Sequence, residues 1–385
     1  EDDGVMHLKN NSFVKPAEPE TMRWIALLQF SILTAGTAVS VGAHTIVVEE
    51  FRKYYHLTIV EVDFLNTIFL GSYLLIGAFV MRIFTRWGLK GGMYTASTLF
   101  LSGSALKVLS VFYPQHFFLV MIGQFLTAFA INFAMAGPSL LSATWFPATE
   151  RTFATTIASQ ADNIGIAFSF LFPSLVITPK AQGEKEFLIV FGGIFLLACV
   201  DSFLTFVVIP AKPKVPLAVQ SAETDPTMDR EAATKEAVHP SFLGMFRSVS
   251  HSRPYQLASV AAALAIAVYW TYSAIYAQIL LPYGISEAQS GTLGAVKILL
   301  SVIPATLIAK HIDRTRNYKG PLIIANFVAA LSYVAVTYVL DEYKNPWMAV
   351  LLAHLPMGIA QSVIMPVSLE YMVEITFPVD PSVSA

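Results

Sequence analysis

PAKPKVPLAVQSAETDPTMDREAATKEAVHPSFLGMFRSVSHSRP, residues 210–254, is the one long interval between the first and last apolar runs that could not sit in a bilayer. It carries Lys212, Lys214, Arg230, Lys235, Arg247 and Arg253 with acids interspersed, and it is punctuated by six prolines from Pro210 to Pro254. Mixed charge and the Ser/Glu/Asp/Thr/Pro content of Ser221–Thr234 give such a segment too little apolar surface to fold on its own. Ser241–His251 reads as a short surface helix. Six apolar runs precede this interval and four follow, which is the layout of a chain that crosses a membrane in two groups.

Composition agrees. The 385 residues are 55% hydrophobic and 13% charged, against about 25% charged in an ordinary soluble domain. A soluble protein would have to bury every one of these runs in a single core. The net charge of −2 gives no reason to expect a nucleic-acid partner. The single cysteine, Cys199, excludes an intramolecular disulfide or a cysteine-rich metal site. The first twenty residues are acidic and polar, unlike a cleavable leader.

The runs are Trp24–Val48, Val62–Ile83, Gly92–Val111, Phe117–Ser142, Thr152–Val176 and Phe187–Ile209, then Tyr255–Leu281, Thr292–Ala309, Pro321–Leu340 and Pro346–Val373. Each is long enough, at about 1.5 Å per residue, to cross most or all of a hydrocarbon core of about 30 Å. The boundaries are therefore a tail at 1–23, a six-helix bundle at 24–209, a linker at 210–254 and a second bundle at 255–385. Lys and Arg concentrate on one side: Lys9, Lys15 and Arg23, then Arg82, Arg86 and Lys90, then Arg151, the linker, and Lys310, Arg314, Arg316 and Lys319. Arg52, Lys53, Lys180, Lys185 and Lys344 fall on the other. The cation-rich side, with the N-terminus and linker, is read as cytosolic. A glycosylation triplet at Asn10–Asn11–Ser12 then faces the wrong compartment.

Ionisable residues inside spans are functional or pairing candidates, because charge at mid-bilayer is costly. Here they are His44, Lys107, Asp162, Asp201, Lys297, His354, Glu370 and Glu374. Lys107 lies near the outer end of span three, where a lysine can snorkel. Asp201 either carries protons or holds a helix pair. Lys297 and Glu370 are candidates for an interhelical ion pair or for proton coupling, and Glu374 shares a helix face with Glu370. On span seven Tyr269, Tyr272 and Tyr276 share a face beside Trp270; aromatic faces attract desolvated ammonium, although packing would also use them. Span five holds a polar patch of Ser159, Gln160, Asp162 and Asn163. Span four contains Gln124 and Asn132, and it reaches a helix break at Gly137–Pro138–Ser139. Such placement suits a midplane binding site or a tightly packed kink. Phosphate-binding glycine loops, HExxH and GxSxG are absent from the sequence, and neither an enzyme nor a cofactor is expected.

Two loops carry a family likeness. Arg82-Ile-Phe-Thr-Arg-Trp-Gly-Leu-Lys90 and His311-Ile-Asp-Arg-Thr-Arg-Asn-Tyr-Lys319 resemble the paired cytosolic loops of the major facilitator superfamily. Asp313 and Arg314 keep that pattern; Thr85, ahead of Arg86, replaces its aspartate. Further stretches are Gly88–Leu89–Lys90, Gly123–Gln124 with Pro138, Trp145–Phe146–Pro147, Asn163-Ile-Gly-Ile-Ala167 with Phe172–Pro173, and Pro366-Val-Ser-Leu-Glu-Tyr-Met-Val-Glu-Ile-Thr-Phe-Pro378. Together these resemble the feline leukaemia virus subgroup C receptor-related transporters along most of the chain. The resemblance implies an all-α polytopic carrier of twelve helices in two pseudo-symmetric halves, with helices eleven and twelve absent from this chain. It implies alternating access and a choline- or ethanolamine-like amine as solute, with haem or a vitamin-like solute as the alternative and a non-transporting receptor or scaffold as the rival of another class.

By the same resemblance, Trp270 with Tyr269 provides the span-seven aromatic wall and Asn163 the span-five polar contact. The span-one aromatic position falls at Val41, with His44 nearby. The substrate contacts expected are Trp270, Tyr269, Tyr272, Asn163, Gln124, Asp162, His44 and Val41. Coupling or gating falls to Glu370, Glu374, Lys297, Asp313, Arg314 and Arg86, with a proton as candidate coupling ion. The expected unit is a monomer in a lipid bilayer, in the plasma membrane ahead of a lysosomal or other internal one.

Overall fold

The computed structural model describes residues 21–146, 150–178, 180, 183–208, 251–315, 317–343 and 346–376. The N-terminal tail with its Asn10–Ser12 triplet, nearly all of the 210–254 interval, and Pro147, Arg316 and Pro378 lie outside the described residues, as does the side chain of Asp313.

In chain order the helices are α1 (Met22–Gly42), α2 (Val48–Tyr55), α3 (Ile59–Phe112), α4 (Phe117–Ala136), α5 (Pro138–Trp145), α6 (Arg151–Val176) and α7 (Glu184–Phe203). After the interval come α8 (Arg253–Ala274), α9 (Tyr276–Leu280), α10 (Glu287–Thr315), α11 (Lys319–Glu342) and α12 (Trp347–Thr376). Among the described residues there is no sheet, as a bilayer demands of any segment that must satisfy its backbone internally. Eight described helices are long and apolar enough to cross a membrane, and the protein is a multi-pass membrane protein. The polar patch on α6 leaves that helix outside the eight.

Three elements differ from the sequence reading. Spans two and three are joined by no coil: α3 runs through Arg82–Lys90 and turns at Gly88, where φ is 65° and ψ −170°. That conformation is open essentially to glycine alone, so one residue makes the hairpin between two long arms. Thr58 and Glu61 start α3 with a reciprocal capping box. Span one ends at Gly42, not Val48, which places His44 in a buried turn. Span seven is interrupted at Ile275, where φ is −110° and ψ 18°, separating α8 from α9. The expected break in span four is present: α4 stops at Ala136 and Pro138 begins α5, a position where a missing N–H costs nothing.

Packing follows small residues. Gly103 on α3 and Gly123 on α4 touch backbone to backbone, and Gly165 of α6 rests on Ala35 and Ala38 of α1. Helices α1, α3, α4, α6 and α7 pack on one another, α8 and α10–α12 form a second group, and the principal seam between the groups runs along α6 and α10. A Cβ on Gly291 would collide with the Phe170 carbonyl and the Ser174 side chain, and one on Gly294 with the Phe170 ring. The seam is closed there.

Candidate functional site

Opposite that closed seam the two groups part around a cavity of about 370 Å³. Its walls come from α1, α4, α5, α6, α8, α10 and α12, and solvent reaches Ser159, Pro366 and Glu370. The break between α4 and α5 puts Pro138 and Ser139 on the lining. The polar patch of α6 supplies Ser159, Gln160, Asp162 and Asn163, and α8 adds Tyr269 and Trp270.

Asp162 is 8% exposed, and its Oδ1 has no hydrogen-bond partner among the described residues. Tyr73 and Tyr269 both lie within its electrostatic reach. Asn163 donates to Gln160 Oε1 at 2.6 Å, which orients that amide pair. The Tyr269 and Trp270 rings are 5.5 Å apart, and Trp270 meets Phe69 edge to face at 5.2 Å. Among the described lining residues the charged side chains are Asp162 and Glu370, both acidic.

Trp270 and Ile166 also line a second, small cavity of about 50 Å³ above the first, together with Val41, Asn66, Phe69 and Phe170. Trp270 is therefore a partition between a roomy vestibule and a narrow apolar recess. Val41, lacking a ring, leaves part of that recess unfilled.

Other predicted residues lie elsewhere. Gln124 is fully buried inside the N-terminal group, accepting from Lys107 Nζ at 2.6 Å and donating to the Val41 carbonyl at 3.1 Å. Lys107 does not snorkel: it is 2% exposed, and its ammonium also donates to the Ser40 carbonyl at 2.6 Å. Asp201 is a helix clamp, since Gln29 donates to it and to Thr205, tying α1 to α7 and its π-helical extension. His44 is buried against Phe51 and faces Asn66, away from the large cavity.

Lys297 and Glu370 are not brought together. The Lys297 backbone abuts Gly358 of α12, and Glu370 stands about 18 Å further along that helix at 1.5 Å per residue. The Lys297 ammonium sits instead 5.9, 5.8 and 5.1 Å from the ring centres of Tyr269, Tyr272 and Tyr276. Tyrosines spaced for a cation thus receive one from their own chain. Glu374 is exposed one turn beyond Glu370, and Arg86 and Arg314 are exposed on the face where the cavity opens. Thr85 bonds within its own helix, to the Met81 and Arg82 carbonyls, and among the described residues no latch from it to a neighbour is seen.

On the far face the groups are clasped. Gln278 donates to Asp63 Oδ1 at 2.7 Å, and the Glu49 N–H to Glu287 Oε1 at 3.1 Å. Neither contact was legible in the sequence, because each joins a loop-proximal residue of one group to one of the other.

A membrane-embedded helical protein with a solvent-reached cavity between two helix groups, closed on one face and open on the other, is a carrier. The chain belongs to the Major Facilitator Superfamily, whose profile matches residues 26–379. It is similar to the choline/ethanolamine transporter flvcr2a of Danio rerio (23% identical over 358 residues, 92% of this chain and 74% of the relative). It is also similar to choline/ethanolamine transporter FLVCR1 of Felis catus (26% over 364 residues, 92% and 62%). Solute carrier family 49 member A3 of Danio rerio is 25% identical over 368 residues, covering 94% of this chain and 74% of that one. The chain thus spans roughly two thirds to three quarters of these relatives, somewhat less of the feline one. Among solved structures a D-xylose–proton symporter superposes with a TM-score of 0.65 at 15% identity, covering 92% of this chain and 83% of that one. The E. coli xylose transporter in an inward-open conformation gives 0.63 at 15%, covering 94% and 86%. The protein is a secondary transporter of a small organic solute that works by alternating access, and not an enzyme.

Proposed function

We propose that the solute is a small amine of the choline or ethanolamine type, bound in the large cavity with its cationic head between Asp162 and the Tyr269–Trp270 wall. The observation that carries this is the sign of the lining: Asp162 and Glu370 are its charged side chains, and Asp162 holds a buried oxygen in need of a donor or cation. A desolvated carboxylate with adjacent π-faces favours an ammonium over an anion. The choline/ethanolamine transporters among the relatives point the same way. Asn163 and Gln160 are positioned to meet a hydroxyl at the other end of such a molecule. A haem-sized anion fits poorly: His354 has both ring nitrogens engaged, and His44 is buried away from the cavity.

In this reading residues 24–209 form a bundle that crosses six times, with α3 contributing two crossings. Residues 210–254 are a cytosolic linker, and 255–385 contribute four crossings of a second bundle. With the linker on the cytosolic side, the cavity mouth faces the cytosol in this reading. Rocking the bundles would break the far-face clasp and shut the vestibule around a midplane site. Glu370, at the mouth, is the proposed coupling carboxylate, with the proton as the coupled ion, the monomer as the working unit and the plasma membrane as its place.

Uptake of radiolabelled choline into proteoliposomes, in competition with ethanolamine, pyridoxine and haem, tests the proposal. Choline and ethanolamine should compete strongly. Trp270→Ala and Asp162→Asn should each lower uptake at least tenfold. Undiminished uptake in both variants, or preference for an anionic competitor, would overturn the assignment.

A further inference from the structure

Helix α2 bridges α1 and α3 on the far face, and its two neighbouring acids point in different directions. Glu49 is partly exposed and satisfied: Arg52 reaches it at 2.8 Å and Lys53 at 3.2 Å. Those cations hold the Glu49 carboxyl below its ordinary range, the Arg52 hydrogen bond being the main cause. Glu50, on the opposite side, is 4% exposed, and its Oε2 has no partner among the described residues. Its side chain meets that of Glu287, the first residue of α10, which comes from the other helix group. Glu287 Oε1 accepts the Glu49 N–H, while its buried Oε2 has no partner among the described residues.

Two carboxyl groups therefore meet across the seam that closes the transporter, one of them held by the Glu49 N–H, and each with an oxygen that has no partner among the described residues. Among the described residues the neighbouring groups offer no counter-charge. Arg52 and Lys53 are engaged by Glu49. From α3, Asp63 is occupied by Gln278. From the α1–α2 turn, His44 lies against Phe51 and faces Asn66, and from α7 Glu184 faces Tyr54. Two carboxylates in side-chain contact cannot both be ionised without strong repulsion, and a proton between them turns repulsion into a hydrogen bond.

We propose that Glu50 and Glu287 form a proton-binding site whose bound proton clasps the far face, and whose deprotonation releases it. The site deepens the alternating-access reading and rests on it. The proton would be acquired or lost from the far face, remote from Glu370 and the solute cavity. Because one proton is linked to closure, the closed-to-open ratio should fall by up to about tenfold per pH unit across the titration.

The test is a pair of spin labels on the far face, at Val60→Cys and Tyr283→Cys in a Cys199→Ser background, in lipid nanodiscs at pH 5.5 and 8.5. The protein with both glutamates should show a longer-distance population that grows as pH rises. Glu287→Gln and Glu50→Gln, whose amides donate at every pH, should hold the short distance at both. A wild-type distance that ignores pH, or a pH response that survives both glutamine substitutions, overturns the proposal. Adding saturating choline separates the two ideas. If choline shifts the distances while pH does not, the proton site fails and alternating access stands. If neither moves them, both fail.

Discussion

The Tyr272 hydroxyl donates to His354 Nε2 at 2.6 Å, joining α8 to α12 in the interior of the C-terminal group. The direction is fixed by the other ring nitrogen: Nδ1 lies 2.7 Å from the Val350 carbonyl, which can only accept, so Nδ1 carries the hydrogen and Nε2 accepts. His354 is thus a structural link between the two helices. Tyr272 also faces Lys297, so this bond holds one wall of the tyrosine cluster around that ammonium.

Removing the hydroxyl alone should be costly out of proportion to its size. Tyr272→Phe leaves a buried imidazole nitrogen without a donor, at about 1 kcal/mol as typical of hydrogen bonds between membrane helices. A lowered melting temperature in detergent is the expected result, with choline KM little changed. His354→Gln, whose side-chain amide can still donate to the Val350 carbonyl and accept from Tyr272, should cost less than His354→Leu, which can do neither.

Gln124 separates two readings of one residue. As a solute ligand, its replacement would raise KM; as the acceptor for Lys107, its replacement strands a buried ammonium. Gln124→Leu is expected to destabilise by about 3 kcal/mol or more, the cost of breaking a buried charged partnership. The measurement is folded yield and thermal stability, with the double variant Gln124→Leu, Lys107→Met regaining much of the yield. An unchanged melting temperature with a raised KM would return Gln124 to the solute.

The contrast shows what a sequence can display. Apolar runs of spanning length pointed to an all-α polytopic fold, because a bilayer imposes length and polarity directly. The broken span at Pro138 and the acidic, aromatic lining residues Asp162, Tyr269 and Trp270 were legible because each is anomalous in a membrane helix. Partners were not. Lys107 read as a rim residue because distance along a helix gives depth but not which neighbour lies alongside. Lys297 was matched to Glu370 by charge, and only the contact of α10 with Gly358 of α12 shows that they stand at different depths. Nothing local to Glu50 or Glu287 says that their two segments meet.

In the proposed function Asp162 is the residue on which substrate class turns. Asp162→Asn preserves size and hydrogen bonding but removes the charge, so choline affinity should fall at least tenfold while the protein remains folded. Asp162→Glu should retain some uptake. Radioligand binding to detergent-solubilised protein reads affinity apart from turnover. Equal affinity in wild type and Asp162→Asn would show that the ammonium is held by aromatic faces alone.

Gly291 tests the seam itself. Its α-carbon faces the Phe170 carbonyl and Ser174, where a side chain has no room in the closed far face. Overpacking of this kind costs about 1–3 kcal/mol, and here the cost falls on one conformation more than the other, because separating α6 from α10 relieves it. Gly291→Val should therefore shift the population toward far-face opening by roughly 5- to 150-fold, the equilibrium equivalent of that energy. Choline would still bind while net uptake falls. The far-face spin-label pair should report the longer distance even at pH 5.5, where the glutamate pair would otherwise hold the clasp. A short distance in that variant, with normal uptake, would mean that α6 and α10 can slide past the added methyls and that their close approach is not what shuts this face.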